Sequence, residues 1–106
     1  MAWTVEVKEA ALEHLQGFGK KTGRKLLKTA LKHLELDPLA ESKNLKNVRP
    51  NPIADRELRL FGMYRVLFSV DEDARLVTII LVGEKRGKRL LVLGGEFSEH
   101  ESDPLE

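Results

Sequence analysis

The chain of 106 residues contains no cysteine. That rules out a disulfide framework and any zinc site built on thiolates. It also has few aromatics, with one tryptophan, one tyrosine and four phenylalanines. Long apolar runs are missing too. The longest, Leu76 to Val82, is interrupted by Thr78 and falls far short of the ~20 residues a bilayer-spanning helix needs. Met1-Ala2-Trp3-Thr4-Val5-Glu6 lacks the basic start and apolar stretch of a secretory signal. These absences favour a soluble cytoplasmic protein with no membrane contact. No P-loop, dinucleotide-binding or serine-hydrolase motif occurs, and His14 and His33 stand on separate predicted helices without ligand-like spacing, so neither a cofactor nor a metal is expected.

The formal net charge of +1 conceals an asymmetry. Glu96, Glu99, Glu101, Asp103 and Glu106 make residues 96–106 an acidic tail with no lysine or arginine. Of the 18 cationic and 17 acidic residues, all 18 cations but only 12 acids lie in 1–95, a surplus of six. A basic body of this kind suits a polyanionic partner. The length fits one domain, predicted over 1–95, followed by the acidic tail 96–106.

Trp3, Val5 and Val7 alternate with polar residues as in a strand. Ala11, Leu12, Leu15 and Phe18 then fall on one helical face, and Gly17 and Gly19 mark a break. A second helix runs from about Lys20 to Leu36. Leu27, Ala30, Leu31 and Leu34 form its apolar stripe and Lys21, Lys25, Lys28 and Lys32 a cationic one. It ends before Pro38, which forces Asp37 out of helical geometry. Residues 37–55, with three prolines and three asparagines, read as a long loop. Arg56–Leu60, Met63–Val70, Leu76–Val82 and Arg89–Leu93 read as strands joined by short turns, hence antiparallel. The pattern β-α-α-β-β-β-β defines an α+β fold, one antiparallel-rich sheet with a helical hairpin packed on one face.

The alternation also fixes a register. Leu58 and Leu60 must share the core face with Tyr64, Val66, Phe68 and Val70. Only a three-residue connection, Phe61-Gly62-Met63, achieves this, by pairing Leu60 with Tyr64. Arg59 then lies opposite Arg65 on the face away from the helices. Two guanidinium groups side by side repel unless an anion sits between them, which points to a phosphate site. Lys85, Arg86, Lys88 and Arg89 around Gly87 form a second basic group.

Arg56-Glu57-Leu58-Arg59, Tyr64-Arg65-Val66-Leu67-Phe68 and Val82-Gly83-Glu84-Lys85-Arg86, in this order after an N-terminal strand and helical pair, resemble the RelE/ParE toxin superfamily from Trp3 to about Leu93. The resemblance implies the toxin of a type II toxin–antitoxin system, neutralised by a cognate antitoxin. RelE-like members cleave mRNA in the ribosomal A site without a metal. ParE-like members inhibit DNA gyrase and are not nucleases, and a further relative could bind only its antitoxin. The resemblance places Arg65, Arg86, Lys85 and Arg59 in the catalytic set of an endoribonuclease, with Arg56, Lys88, Arg89, Lys46 and Arg49 as RNA phosphate contacts. The chemistry also needs an acid and a base. The tyrosine or histidine usual near the last strand is replaced by Leu90-Leu91-Val92-Leu93, and His100 lies beyond it. Glu57 and Lys85 are the alternative acid/base candidates.

Overall fold

The computed structural model describes residues 3–40, 45–47, 54–92 and 95–97. The chain runs through β1 (Thr4–Val7), α1 (Glu9–Gly17), α2 (Lys20–Leu36), β2 (Leu45–Asn47), β3 (Arg56–Leu60), β4 (Tyr64–Asp71), β5 (Leu76–Arg86), β6 (Arg89–Val92) and β7 (Gly95–Phe97). The α+β architecture is as expected, with two additions. β2 inserts a short strand into the segment read as a loop, paired antiparallel with β3. β7 pairs with β6, so the sheet continues two residues into the segment read as an acidic tail. β5 also runs four residues past the expected end at Val82.

All the strands form one sheet in the order β2-β3-β4-β5-β6-β7, with β1 also on β5. The edge of β5 away from β4 is shared. β1 pairs with it in parallel over Leu76–Ile79, and β6 pairs antiparallel over Glu84–Arg86. Between these partners the β5 backbone would be left without a neighbour, and His14 of α1 fills part of the gap. The Val82 N–H donates to His14 Nδ1 at 3.2 Å. A buried backbone donor without an acceptor is costly, so this bond ties the first helix to the centre of the sheet.

The helical hairpin turns on Phe18 and Gly19 (φ 95°), and its close packing depends on Gly23. A side chain there would collide with the Leu15 carbonyl oxygen. At the far end, Asp37 leaves the helical region (φ −157°, ψ 84°) before buried Pro38, as steric clash with the proline ring requires. The buried stripe of α2 is Gly23, Leu26, Ala30 and Leu34. It is centred one residue earlier than the predicted stripe, and Leu27 is only partly buried. Leu12 of α1 is likewise exposed instead of buried.

The core forms between these helices and one sheet face. It includes Trp3, Leu58, Leu60, Val66, Phe68, Val77, Ile79 and Val82. A smaller apolar cluster of Ala54, Leu67 and Leu81, flanked by Ile80, Leu90 and Val92, lies on the other face. A bulge explains how one strand serves both. Leu67 pairs with Leu81 but Phe68 pairs with Ile79, leaving Ile80 as an extra residue. The alternation of β5 reverses there, which is why Ile79–Val82 reads as four consecutive apolar residues.

Burial lowers the His14 pKa below its ordinary 6.5, against a smaller opposing effect of Glu13. Protonating Nδ1 also removes the acceptor for Val82. The folded protein therefore binds this proton less readily than the unfolded chain does. The stability contributed by His14 is complete above about pH 6.5 and is lost as the pH falls below it. Urea unfolding followed from about pH 7.5 to 5.5 should show a falling midpoint, and His14→Asn, whose side-chain oxygen accepts the same bond without titrating, should flatten that dependence.

Candidate nucleic-acid interface

The β3–β4 hairpin adopts the expected register. Leu60 pairs with Tyr64, Leu58 with Val66, and Arg59 with Arg65. Tyr64 points to the helix side, where its ring meets Phe18 edge-on at 5.2 Å between centroids. Arg59 and Arg65 consequently occupy the opposite, open face.

The expectation that repulsion between the two guanidinium groups calls for a bound phosphate is corrected, because the anion between them is part of the protein. Glu57, two residues before Arg59 and on the same side of β3, places Oε2 3.1 Å from Arg59 Nε and 3.6 Å from Arg65 Nε. Arg65 is held further by its own turn, with Nη1 donating to the carbonyls of Gly62 at 2.9 Å and Tyr64 at 3.1 Å. Its side chain is only 11% exposed, against 33% for Arg59. Burial lowers the Arg65 pKa, the Glu57 charge opposes that shift, and the Arg59 charge adds to it. Neither ion pair uses Oε1 of Glu57, and Nη2 of Arg65 has no partner among the described residues. The site thus has a well-anchored cation, a more exposed cation and a carboxylate oxygen directed by both.

The second basic group does not join this site as a whole. Tyr64 pairs with Glu84 and Arg65 with Gly83, so Glu84 lies on the helix side and Lys85 on the open side. Arg86, two residues after Glu84, returns to the helix side, where its Nε lies 3.4 Å from Glu84 Oε2. Arg89 is its cross-strand partner. The expected catalytic set of Arg65, Arg86, Lys85 and Arg59 is therefore corrected, because Arg86 does not share their surface. The pleat puts Arg59, Arg65 and Lys85 on one face and Arg86 and Arg89 on the other. Lys88 is exposed in the turn between β5 and β6.

Arg56 is a second correction. It is on the core side of β3, 5% exposed, and its Nη2 donates to the Ala40 carbonyl at 2.5 Å. The strand's own alternation explains this, since Arg56 shares a face with Leu58 and Leu60. It is not available to a phosphate. Lys46 occupies the register position opposite Glu57. Arg49, Leu93 and His100 lie outside the described residues. Leu90, Leu91 and Val92 are partly buried in β6, with Leu90 packed on the open-face apolar cluster. Among the described residues no group of histidines and carboxylates could hold a metal ion, and no helix is long and apolar enough to cross a membrane.

Sequence reasoning named Glu57 as a possible acid or base but missed its bridging position. The signal was present: residues i and i+2 of a strand share a face, so Glu57 was bound to stand beside the arginine pair. The same spacing joins Glu84 to Arg86.

Structural comparison finds solved structures with this fold. The chain superposes with a TM-score of 0.68 on a chain of the RelBE2 toxin–antitoxin complex of Mycobacterium tuberculosis, at 22% identity, covering 80% of this chain and 93% of the other. It matches the archaeal RelE–RelB complex of Pyrococcus horikoshii with a TM-score of 0.63 and 26% identity, over 83% and 99% of the two chains. The isolated Escherichia coli RelE toxin matches with a TM-score of 0.62 and 25% identity, over 82% and 89%. No family model and no curated protein matches the sequence. The chain has a RelE-like fold, as its sequence resemblance implied.

Glu57 competes with any incoming phosphate for the two guanidinium groups. Glu57→Gln removes that competitor and adds one net positive charge to the open face. The variant should elute from heparin at higher salt than the parent protein. Unchanged or earlier elution would mean that the arginine pair does not meet polyanions.

Proposed function

We propose that this chain is the toxin of a type II toxin–antitoxin pair, acting in the cytoplasm as a ribosome-dependent mRNA endonuclease and held inactive by a cognate antitoxin. The observation that carries the reading is the partly buried Arg59–Glu57–Arg65 arrangement on the open face of a fold shared with RelE toxins.

The reaction is transfer within the RNA. The 2′ oxygen attacks the adjacent phosphorus, its new bond to phosphorus forms as the bond to the 5′ oxygen breaks, and a cyclic phosphate is left. Negative charge grows on the phosphoryl oxygens. Preorganised guanidinium groups stabilise such charge without reorganising during the step. Arg65, anchored by two carbonyls and Glu57, is the preorganised one, and Arg59 completes the clamp. Glu57 Oε1 is the base this arrangement offers for the 2′ proton. Lys85, exposed on the same face, is the acid for the departing 5′ oxygen. General acid–base help of this kind contributes roughly 10²–10⁴-fold. Lys88, Arg86 and Arg89 would hold flanking phosphates around the sheet edge, and Lys46 and Arg49 are assigned the same role.

Induced expression of the chain alone should arrest growth, and mapping of mRNA 5′ ends should reveal new cuts inside translated codons. Arg65→Ala should abolish both while circular dichroism shows a retained fold. Arg65→Lys, which keeps the charge but cannot span the same carbonyls, should lose most of the activity. Growth arrest with intact mRNA and a DNA-damage response would instead identify a ParE-like gyrase inhibitor. Absence of any arrest would point to a relative that binds only its antitoxin.

A further inference from the structure

The residues least explained by the open-face site lie on the other side of the molecule. Lys20, Lys21, Arg24, Lys25 and Lys28 are all exposed in the first half of α2 and line a groove of about 500 Å³. Their spacing sets like charges at i, i+3 and i+4, where they repel. They also crowd the end of the helix where the macrodipole disfavours cations, and no acidic residue stands in the first turn to offset them. Among the described residues none of the five forms an ion pair with a carboxylate. This contrasts with Arg59, Arg65 and Arg86, each of which has one.

The groove adjoins a smaller pocket of about 230 Å³ lined by Thr22, Lys25, Leu26, Phe61 and Tyr64. Lys25 belongs to both. Its Nζ rests 4.7 Å from the centroid of the Phe61 ring. Phe61 is 52% exposed and has φ 52°. An aromatic residue in left-handed geometry on the surface is a poor choice for folding alone, because asparagine or glycine would occupy that position with less strain. Strain held in an exposed, functional-looking side chain points toward a ligand. The pocket is smaller than a site for a drug-sized molecule, and two aromatic rings with a neighbouring ammonium suit one planar base with its phosphate.

We propose that this hairpin-tip pocket and the α2 groove form a second RNA-binding surface, in which one unpaired base stacks on Phe61 while the adjoining backbone phosphates lie along the α2 cations. The proposal deepens the reading above and rests on it for the choice of RNA as the polyanion. Charge complementarity selects a polyanion, and the aromatic pocket selects one that carries exposed bases.

The test uses the full chain carrying Arg65→Ala, so that bound RNA stays intact and the open-face site is weakened. The probe is an unstructured RNA ten-mer, compared with the same strand made abasic at its central positions. Phe61→Asn should lower affinity for the intact strand about ten-fold and leave affinity for the abasic strand unchanged. Thermal stability should be equal or higher, since asparagine tolerates the left-handed backbone. Lys21→Glu with Arg24→Glu should weaken both strands and flatten the salt dependence. Equal binding by Phe61→Asn and its parent overturns the base pocket. Binding untouched by the charge reversals overturns the groove. Phe61-dependent capture of an acidic polyglutamate peptide, with RNA binding independent of Phe61, overturns the proposal in favour of a protein partner. None of these outcomes depends on whether the parent chain cuts mRNA in cells, so the two readings fail separately.

Discussion

The register between β3 and β4 is the constraint on which the rest is built. It follows from a simple conflict. Both strands must direct their apolar residues toward the helices, and only a three-residue turn lets them do so together. A slip of one residue would bury Arg65 and expose Val66 and Phe68, at a cost of several kcal/mol in lost apolar burial and charge desolvation. The same register brings Arg59 beside Arg65, sends Tyr64 toward Phe18 and leaves Phe61 at the turn in a left-handed conformation. Core packing and site geometry are therefore one decision made by the hairpin.

Placing two guanidinium groups together costs Coulomb energy, which Glu57 relieves. Its carboxylate keeps the pair in position when no ligand is present and defines where a phosphate would enter. Such an arrangement trades affinity for order. The cations are aligned in advance, but an incoming anion must displace or share the contacts of Glu57. Arg65 is suited to the fixed role because two backbone carbonyls also hold it, whereas Arg59 is more exposed and freer to follow a ligand. The α2 cations obey a different logic. Among the described residues they have no carboxylate partner, and they repel one another, which suits a surface that gains from counterion release rather than from fixed geometry.

Much of this was legible in the residues. The α2 boundaries, the β3 boundaries and the pairing of Arg59 with Arg65 all follow from periodicity, a proline and one glycine-containing turn. What escaped was structure that depends on distant partners. β2 is three residues long and exists only because β3 offers it an edge. The bulge at Ile80 is invisible in an apolar run that suits either face, and without it the alternation of β5 cannot be followed to Arg86. Arg86 was grouped with Arg65 through the family resemblance and Arg89 through its place beside Gly87, and the inversion is what sends both to the helix side. Arg56 was misassigned for a different reason. Charge suggested exposure, while the strand's alternation, correctly read for Leu58 and Leu60, already placed it inward.

The central claim is that Arg59 and Arg65 share one phosphate on the open face. The most direct measurement is nuclear magnetic resonance of the arginine side-chain nitrogens during titration with a short RNA whose 2′ hydroxyls are methylated to prevent cleavage. The account predicts that the Nε resonances of Arg59 and Arg65 shift together, saturate at the same RNA concentration and lose that response in Glu57→Arg, where a third cation disrupts the pair. Saturable RNA binding that leaves both resonances in place would contradict it.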